Sequence, residues 1–192
     1  MDSFPVKNCP DYCFESSLDA PAVGGGLRIR TKNQDFAISK KIYIKASHSA
    51  NFGANSVLST TANLACVAAE CKTNLDKTMF QEGCATAKDV KSAVAGAKYF
   101  LLCEWLDMTP LGTAPTDIDE ILLLRKAKRI NSNIRCQYDN FARRQANRAY
   151  YYQYLKGNPF RVDMFERFVN HVRKLIHHEE LIEQDVLSIG YF

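Results

Sequence analysis

DIDEILLLRKAKRINSNIRCQYDNFARRQANRAYYYQYLKG, residues 117–157, decides how the chain is expected to fold. From Arg125 to Arg148 the cations Arg125, Lys126, Lys128, Arg129, Arg135, Arg143, Arg144 and Arg148 meet a single acid, Asp139. Tyr138, Phe141, Tyr150, Tyr151, Tyr152 and Tyr154 share the segment, and Cys136 sits at its centre. Thr116, with Asp119 three positions on, resembles a capping box. Gly157-Asn158-Pro159 has the form of a helix stop. Read as one helix, forty residues would run about 60 Å at ~1.5 Å per residue, with Asn131-Ser132-Asn133 as the weak point. Such a rod is too charged for a core and too aromatic for a purely solvated face. It suits coverage by something negative and partly flat: nucleic acid, an acidic protein surface, or a chromophore carrying carboxylates.

Helical patterns extend on both sides. Val162 onward carries the stripe Phe165, Phe168, Val169, Val172, Leu175 and Ile176, and a last turn or helix is expected over Glu180–Ser188. Upstream, Val90, Val94, Ala97, Leu101 and Trp105 fall near helical spacing in Thr86–Met108, and Thr86 with Asp89 repeats the capping pattern. Ser56–Cys71 reads as a small-residue helix, while residues 40–52 suit either strand or helix. Pro5, Pro10, Pro21 and Gly24-Gly25-Gly26 interrupt regular structure near the N-terminus. The expected fold is mainly α: an irregular N-terminal arm at residues 1–38, then a helical domain at 39–192 with a long basic central helix.

The 192 residues suffice for one domain, and 46% apolar composition supports a core. Lys and Arg number 25 against 21 acids, a net charge of only +4, so the basic character is local and marks a site. No apolar run approaches the ~20 residues that span a bilayer, and the first residues lack a signal peptide's basic and hydrophobic regions. The chain reads as soluble, in the cytosol or an organelle interior.

Seven cysteines cannot all pair. Cys9-x3-Cys13 and Cys66-x4-Cys71 lack the tighter spacing of zinc folds, and His48 and His177-His178 lie far from them, so no metal site is expected. There is no P-loop, G-x-G-x-x-G, G-x-S-x-G or H-E-x-x-H, which argues against an enzyme. Two readings of the basic segment remain. Arginines interleaved with tyrosines have the electrostatic footprint and stacking groups of a nucleic-acid-binding helical protein, using residues 125–148. Alternatively, Cys136, Asp139 and Arg143 share one helical face, with Arg135 and Arg144 flanking. A thiol can bond a linear tetrapyrrole, a carboxylate keeps its pyrrole nitrogens protonated, and Arg pairs its propionates. Cys84 with Lys88 is a weaker copy; Cys103, with Asp107 one turn on, and Cys66 are further attachment candidates. For any single cysteine, a small buried hydrophobe is the commoner role.

Cys136-x-x-Asp139 resembles the bilin-attachment pattern of phycobiliproteins, with Tyr138 where that family usually has Arg. Tyr150–Val172 resembles the helix–Gly–turn–helix stretch of phycobilisome linkers. The overall resemblance is to a chromophore-carrying linker of the phycoerythrin gamma-subunit type. It implies a non-catalytic scaffold of a light-harvesting antenna that threads acidic phycobiliprotein hexamers and carries covalent phycoerythrobilin or phycourobilin for energy transfer. Its place would be the stromal side of the chloroplast thylakoid. The nucleic-acid reading, as a nucleocapsid or ribonucleoprotein subunit, stands as the alternative.

Overall fold

Strand register, not helical periodicity, organises the chain. The computed structural model describes residues 7–14, 23–177 and 183–190. Strands β1 (Lys7–Phe14) and β2 (Leu27–Asn33) pair antiparallel in a two-stranded sheet. Strands β3 (Phe36–Ser47), β4 (Val57–Leu75), β5 (Lys98–Leu106) and β6 (Glu120–Leu123) form a second sheet in that order. The β3–β4 pair is antiparallel; β4–β5 and β5–β6 are parallel. Helix α1 (Lys77–Ala93) connects β4 to β5. After β6 come α2 (Ser132–Arg135), α3 (Phe141–Ala146), α4 (Arg148–Gly157), α5 (Val162–Ile176) and α6 (Glu183–Ile189).

The sheet is covered on both faces. On one, Phe80, Ala87 and Val90 of α1 join Ala65, Ala68, Leu75, Tyr99, Leu101 and Cys103. On the other, Phe168 of α5 meets Val67, Ala69, Phe100, Leu102 and Leu122. Burial on both sides explains β5: YFLLC is a continuous apolar run with no alternation, as interior parallel strands are. It also explains the alanines of β4, which let the two layers close on the sheet. Gly83 marks the tightest approach. A Cβ there would lie 2.7 Å from Leu101 Cδ1, so α1 can lie this close to β5 only without a side chain at that position.

The mainly α expectation is therefore corrected. Ser56–Cys71, read as a small-residue helix, belongs to β4; Thr86–Met108 is the end of α1 followed by β5. The long basic helix does not exist. Its first part is β6, held by pairing with Phe100–Cys103. Its remainder is three short helices divided by asparagines. The Asn131 carboxamide accepts from Asn133 N–H and starts α2, and that of Asn140 accepts from Arg143 N–H and starts α3. The irregular arm contains β1 and β2 in its described part. The helix stop at Gly157 and the amphipathic helix from Val162 are as expected. Of the terminal Glu180–Ser188 element, residues 180–182 lie outside the described residues, and α6 begins at Glu183. The side chains of Cys9 and Cys13 also lie outside them.

Candidate active site

The register that pairs Phe36 with Ala69 brings Asp35 beside Glu70 at the next step. The Cys71 N–H donates to Asp35 Oδ2 at 2.8 Å, fixing the carboxylate at the mouth of the β3–β4 pair. Glu70 and Lys72, two apart on β4, share a face because strand side chains alternate. Lys72 Nζ lies 2.7 Å from Glu70 Oε1 and 3.9 Å from Glu82 Oε2 of α1. The Tyr99 hydroxyl, from β5, donates to Glu70 Oε2 at 2.8 Å. Both Glu70 oxygens are thus engaged, and the plane of the carboxylate is set by two different elements. Asp76 accepts from the Met79 N–H at 2.9 Å as the N-cap of α1, so the helix that presents Glu82 is anchored just past the site.

The charges are consistent with these contacts. Partial burial alone would lower the Lys72 pKa, but its hydrogen bond to Glu70 and the charges of Glu70, Glu82 and Asp35 outweigh burial and raise it. Lys72 is an ammonium. Burial first, then the Glu70 charge, pushes Tyr99 far above the ordinary phenol range, so it remains a donor. Burial, Asp35 and Glu70 likewise raise the Cys71 thiol. The cluster comprises three carboxylates, one fixed cation and one phenol at the end of the sheet.

Asp35 and Glu70 supply hard oxygen donors from neighbouring strands. Mg²⁺ characteristically keeps several waters and takes one or two carboxylates. Among the described residues no group of three or more His, Cys, Asp or Glu converges to cage a metal. The donor set therefore fits a largely hydrated hard cation and not a structural zinc.

A second feature begins one residue further along β4. Thr73, Trp105, Arg129, Ile130, Arg135, Tyr138, Phe141, Arg144, Gln145, Arg148, Tyr151 and Tyr154 line a cavity of about 600 Å³. Trp105 stacks on Tyr154 with centroids 5.1 Å apart, and Tyr138 leans on Tyr151 at 5.4 Å. Several cations expected to face a partner are satisfied within the fold. Arg125 is buried, donates to Glu104 at 2.7 Å and to the Asn158 carbonyl at 2.6 Å, and lies over Phe160. Lys126 pairs with Asp163, and Arg129 and Arg135 share Asp107. Arg144 donates to the Tyr138 carbonyl at 3.1 Å. The structure gives Arg148 no carboxylate partner among the described residues.

Of the proposed pigment residues, Cys136, Asp139 and Arg143 do come together, Arg143 donating to the Cys136 carbonyl at 3.0 Å, whereas Arg135, Cys84, Lys88, Cys103 and Cys66 do not join them. Asp139 pairs directly with Arg143 at 2.8 Å, Arg135 turns to Asp107, and the Cys136 thiol donates to the Asn133 carbonyl. Cys84 and exposed Lys88 are on α1, and Cys66 is exposed on β4. Cys103 is buried in β5, its thiol pushed up by burial to about 12. Sequence reasoning missed Asp35, Glu70, Lys72, Glu82 and Tyr99. The available signal was Glu70-Cys71-Lys72: an acid and a lysine two apart, closing an apolar run and followed by the helix cap Asp76. It becomes visible only when the run is read as a strand.

The sequence model for the Bpu10I restriction endonuclease matches residues 4–192. Among solved structures, a chain of the native BbvCI A2B2 tetramer, determined at low resolution, shares the fold with a TM-score of 0.63 and 22% identity. The alignment covers 94% of this chain and 61% of that one, so this chain spans about three-fifths of its neighbour's length. No curated protein matches the sequence. These matches overturn the antenna-linker resemblance. The bilin cofactor, the phycobiliprotein partners, the chloroplast placement and the non-enzymatic scaffold role fall with it. Among the described residues no helix is long and apolar enough to cross a membrane.

Proposed function

The chain belongs to the Bpu10I restriction endonuclease family, and on that premise we propose that it hydrolyses phosphodiester bonds of DNA at the Asp35–Glu70–Lys72 cluster. The observation that carries this reading is the meeting of these three side chains at one sheet end, with Tyr99 and Glu82 behind them. Phosphoryl transfer asks a protein mainly for positioning and for positive charge where the phosphoryl oxygens gain negative charge. Lys72 supplies that charge, and its neighbours hold it protonated, so it acts as a cation and not as a base. Asp35 and Glu70 would hold the divalent cation, which when bound would supply Lewis acidity beside that charge. Tyr99 orients Glu70. Water attacks phosphorus, one ester P–O bond breaks, and the departing oxygen takes up a proton.

One such cluster reaches one strand at a time. The neighbouring BbvCI assembly is an A2B2 tetramer, and we infer that this chain also works beside a further subunit, each cutting one strand. The test is a supercoiled plasmid incubated with the full chain and Mg²⁺. Nicked circles are expected. Lys72→Ala and Glu70→Gln should each slow their formation by on the order of 10²–10³-fold while the circular-dichroism spectrum stays that of the parent. Nicking at the parental rate by both variants would remove the cluster from the reaction.

A further inference from the structure

The cavity at the ends of β4 and β5 is unlike a surface that only tracks a phosphate backbone. Its walls are rings: Trp105 over Tyr154, Tyr151 nearly parallel to Tyr154, and Tyr138 against Tyr151. Its charged lining residues are all arginines, Arg129, Arg135, Arg144 and Arg148. Two of these are held by Asp107, which leaves Arg144 and Arg148, both exposed, without a carboxylate partner among the described residues. The Tyr138 hydroxyl is buried and has no hydrogen-bond partner among the described residues. At about 600 Å³ the volume falls within the ~300–1,000 Å³ of small-ligand sites. Thr73, one residue after Lys72, forms part of the wall. A ligand in this cavity therefore lies next to the strand that carries the proposed chemistry.

Flat aromatic walls, unneutralised guanidinium groups at the rim and a free hydroxyl inside match a nucleotide: a face to stack, a phosphate on each side and a polar edge. We propose that this cavity binds one unpaired nucleobase together with its flanking phosphates. The proposal rests on the reading of the chain as a DNA-cutting enzyme but concerns a different set of side chains. Taking a base out of the duplex costs unstacking energy; the ring stack returns part of it, and Arg144 and Arg148 hold the backbone where it bends.

Trp105 is the chain's single tryptophan and lines the cavity, so its emission reads occupancy. The full chain in EDTA, which stops cleavage, is titrated with a mixed-sequence single-stranded hexanucleotide and with an abasic strand of the same backbone. Binding is followed in parallel by anisotropy of a labelled strand. The base-bearing strand should change Trp105 emission and the abasic strand should not. Tyr151→Ala should weaken the former by at least about fivefold. Arg148→Ala, a change on the exposed surface that spares the core, should weaken both strands and lower the salt dependence. Equal binding of the two strands, or saturated anisotropy with unchanged Trp105 emission, overturns the proposal and leaves phosphate tracking only. A Trp105 response in a chain that never nicks plasmid sinks the nuclease reading alone; nicking with no Trp105 response sinks this one alone.

Discussion

The carboxylate end of the sheet and the arginine-bearing helices beside it are built on opposite plans. At the sheet end every charge is answered within the fold: Lys72 by Glu70 and Glu82, Glu70 by Tyr99, Asp35 by a main-chain N–H. The groups come from positions 35, 70, 72, 82 and 99, and strand pairing and one crossover helix bring them together. Across α2 to α4 the groups are near neighbours in sequence, held by asparagine caps and short turns, and among the described residues part of their charge meets no carboxylate. The difference teaches where each task is placed. On the reading proposed above, positioned chemistry sits on the non-local element, and adaptable binding sits on the local one.

The most severe way to break this contrast is at Lys72. Turnover of Lys72→Ala at saturating DNA should fall by on the order of 10²–10³-fold, whereas the salt dependence of DNA binding should persist, because the cations that set it lie elsewhere. Loss of that dependence together with turnover would merge the two regions into one. Arg125 is next. It came from the basic stretch, yet it is an internal clamp between β6 and the loop after α4. Arg125→Ala leaves Glu104 without its partner and should cost about 3 kcal/mol of stability, read from urea unfolding. A neutral result would return Arg125 to the binding surface.

A smaller effect is expected at Gly83. A methyl group there meets Leu101 in the packed layer, and Gly83→Ala should destabilise by about 1–3 kcal/mol. It should also lower nicking, since α1 carries Glu82. Lost activity without lost stability would show that helix position alone matters. The smallest is at Asp119, whose carboxylate accepts from the Tyr99 N–H at 2.8 Å and pairs with Lys98 and Lys91. Burial works to raise its pKa, but these three contacts outweigh burial and lower it. Its stabilising share is therefore complete above the unfolded value of ~3.9 and is lost as pH falls through the lower folded value. Asp119→Asn should be less stable by about 1 kcal/mol near neutrality, and the gap to the parent should close below about pH 4. A gap that stays constant down to pH 3 would exclude this role.

The same contrast governs what was legible in the sequence. Gly157 as a stop and the amphipathic helix α5 are local signals, and they hold, although of the expected stripe only Phe168, Val172 and Leu175 pack on the sheet while Phe165 stays exposed. Tyr138, Tyr151, Tyr154 and the arginines read as a surface for something anionic and flat, although strand pairing of Glu120–Leu123 and the caps at Asn131 and Asn140 cut the imagined rod into pieces, and Trp105, read as part of a helix, is in β5. The proposed catalytic cluster was not legible, because β4 and β5 are covered on both faces and lose the polar–apolar alternation that reveals a strand. Alanine-rich β4 then imitates a helix. Without the strands, Glu70 and Lys72 have no common face, and Asp35 has no neighbour 35 positions away.

The hydroxyl that steadies Glu70 comes from β5, beyond the whole of α1. During synthesis, Asp35, Glu70 and Lys72 leave the ribosome well before Tyr99 does. A nascent or prematurely ended chain thus carries the acids and the ammonium but lacks the hydroxyl that holds Glu70, so on the proposed reading competence to cut would wait for β5 to dock.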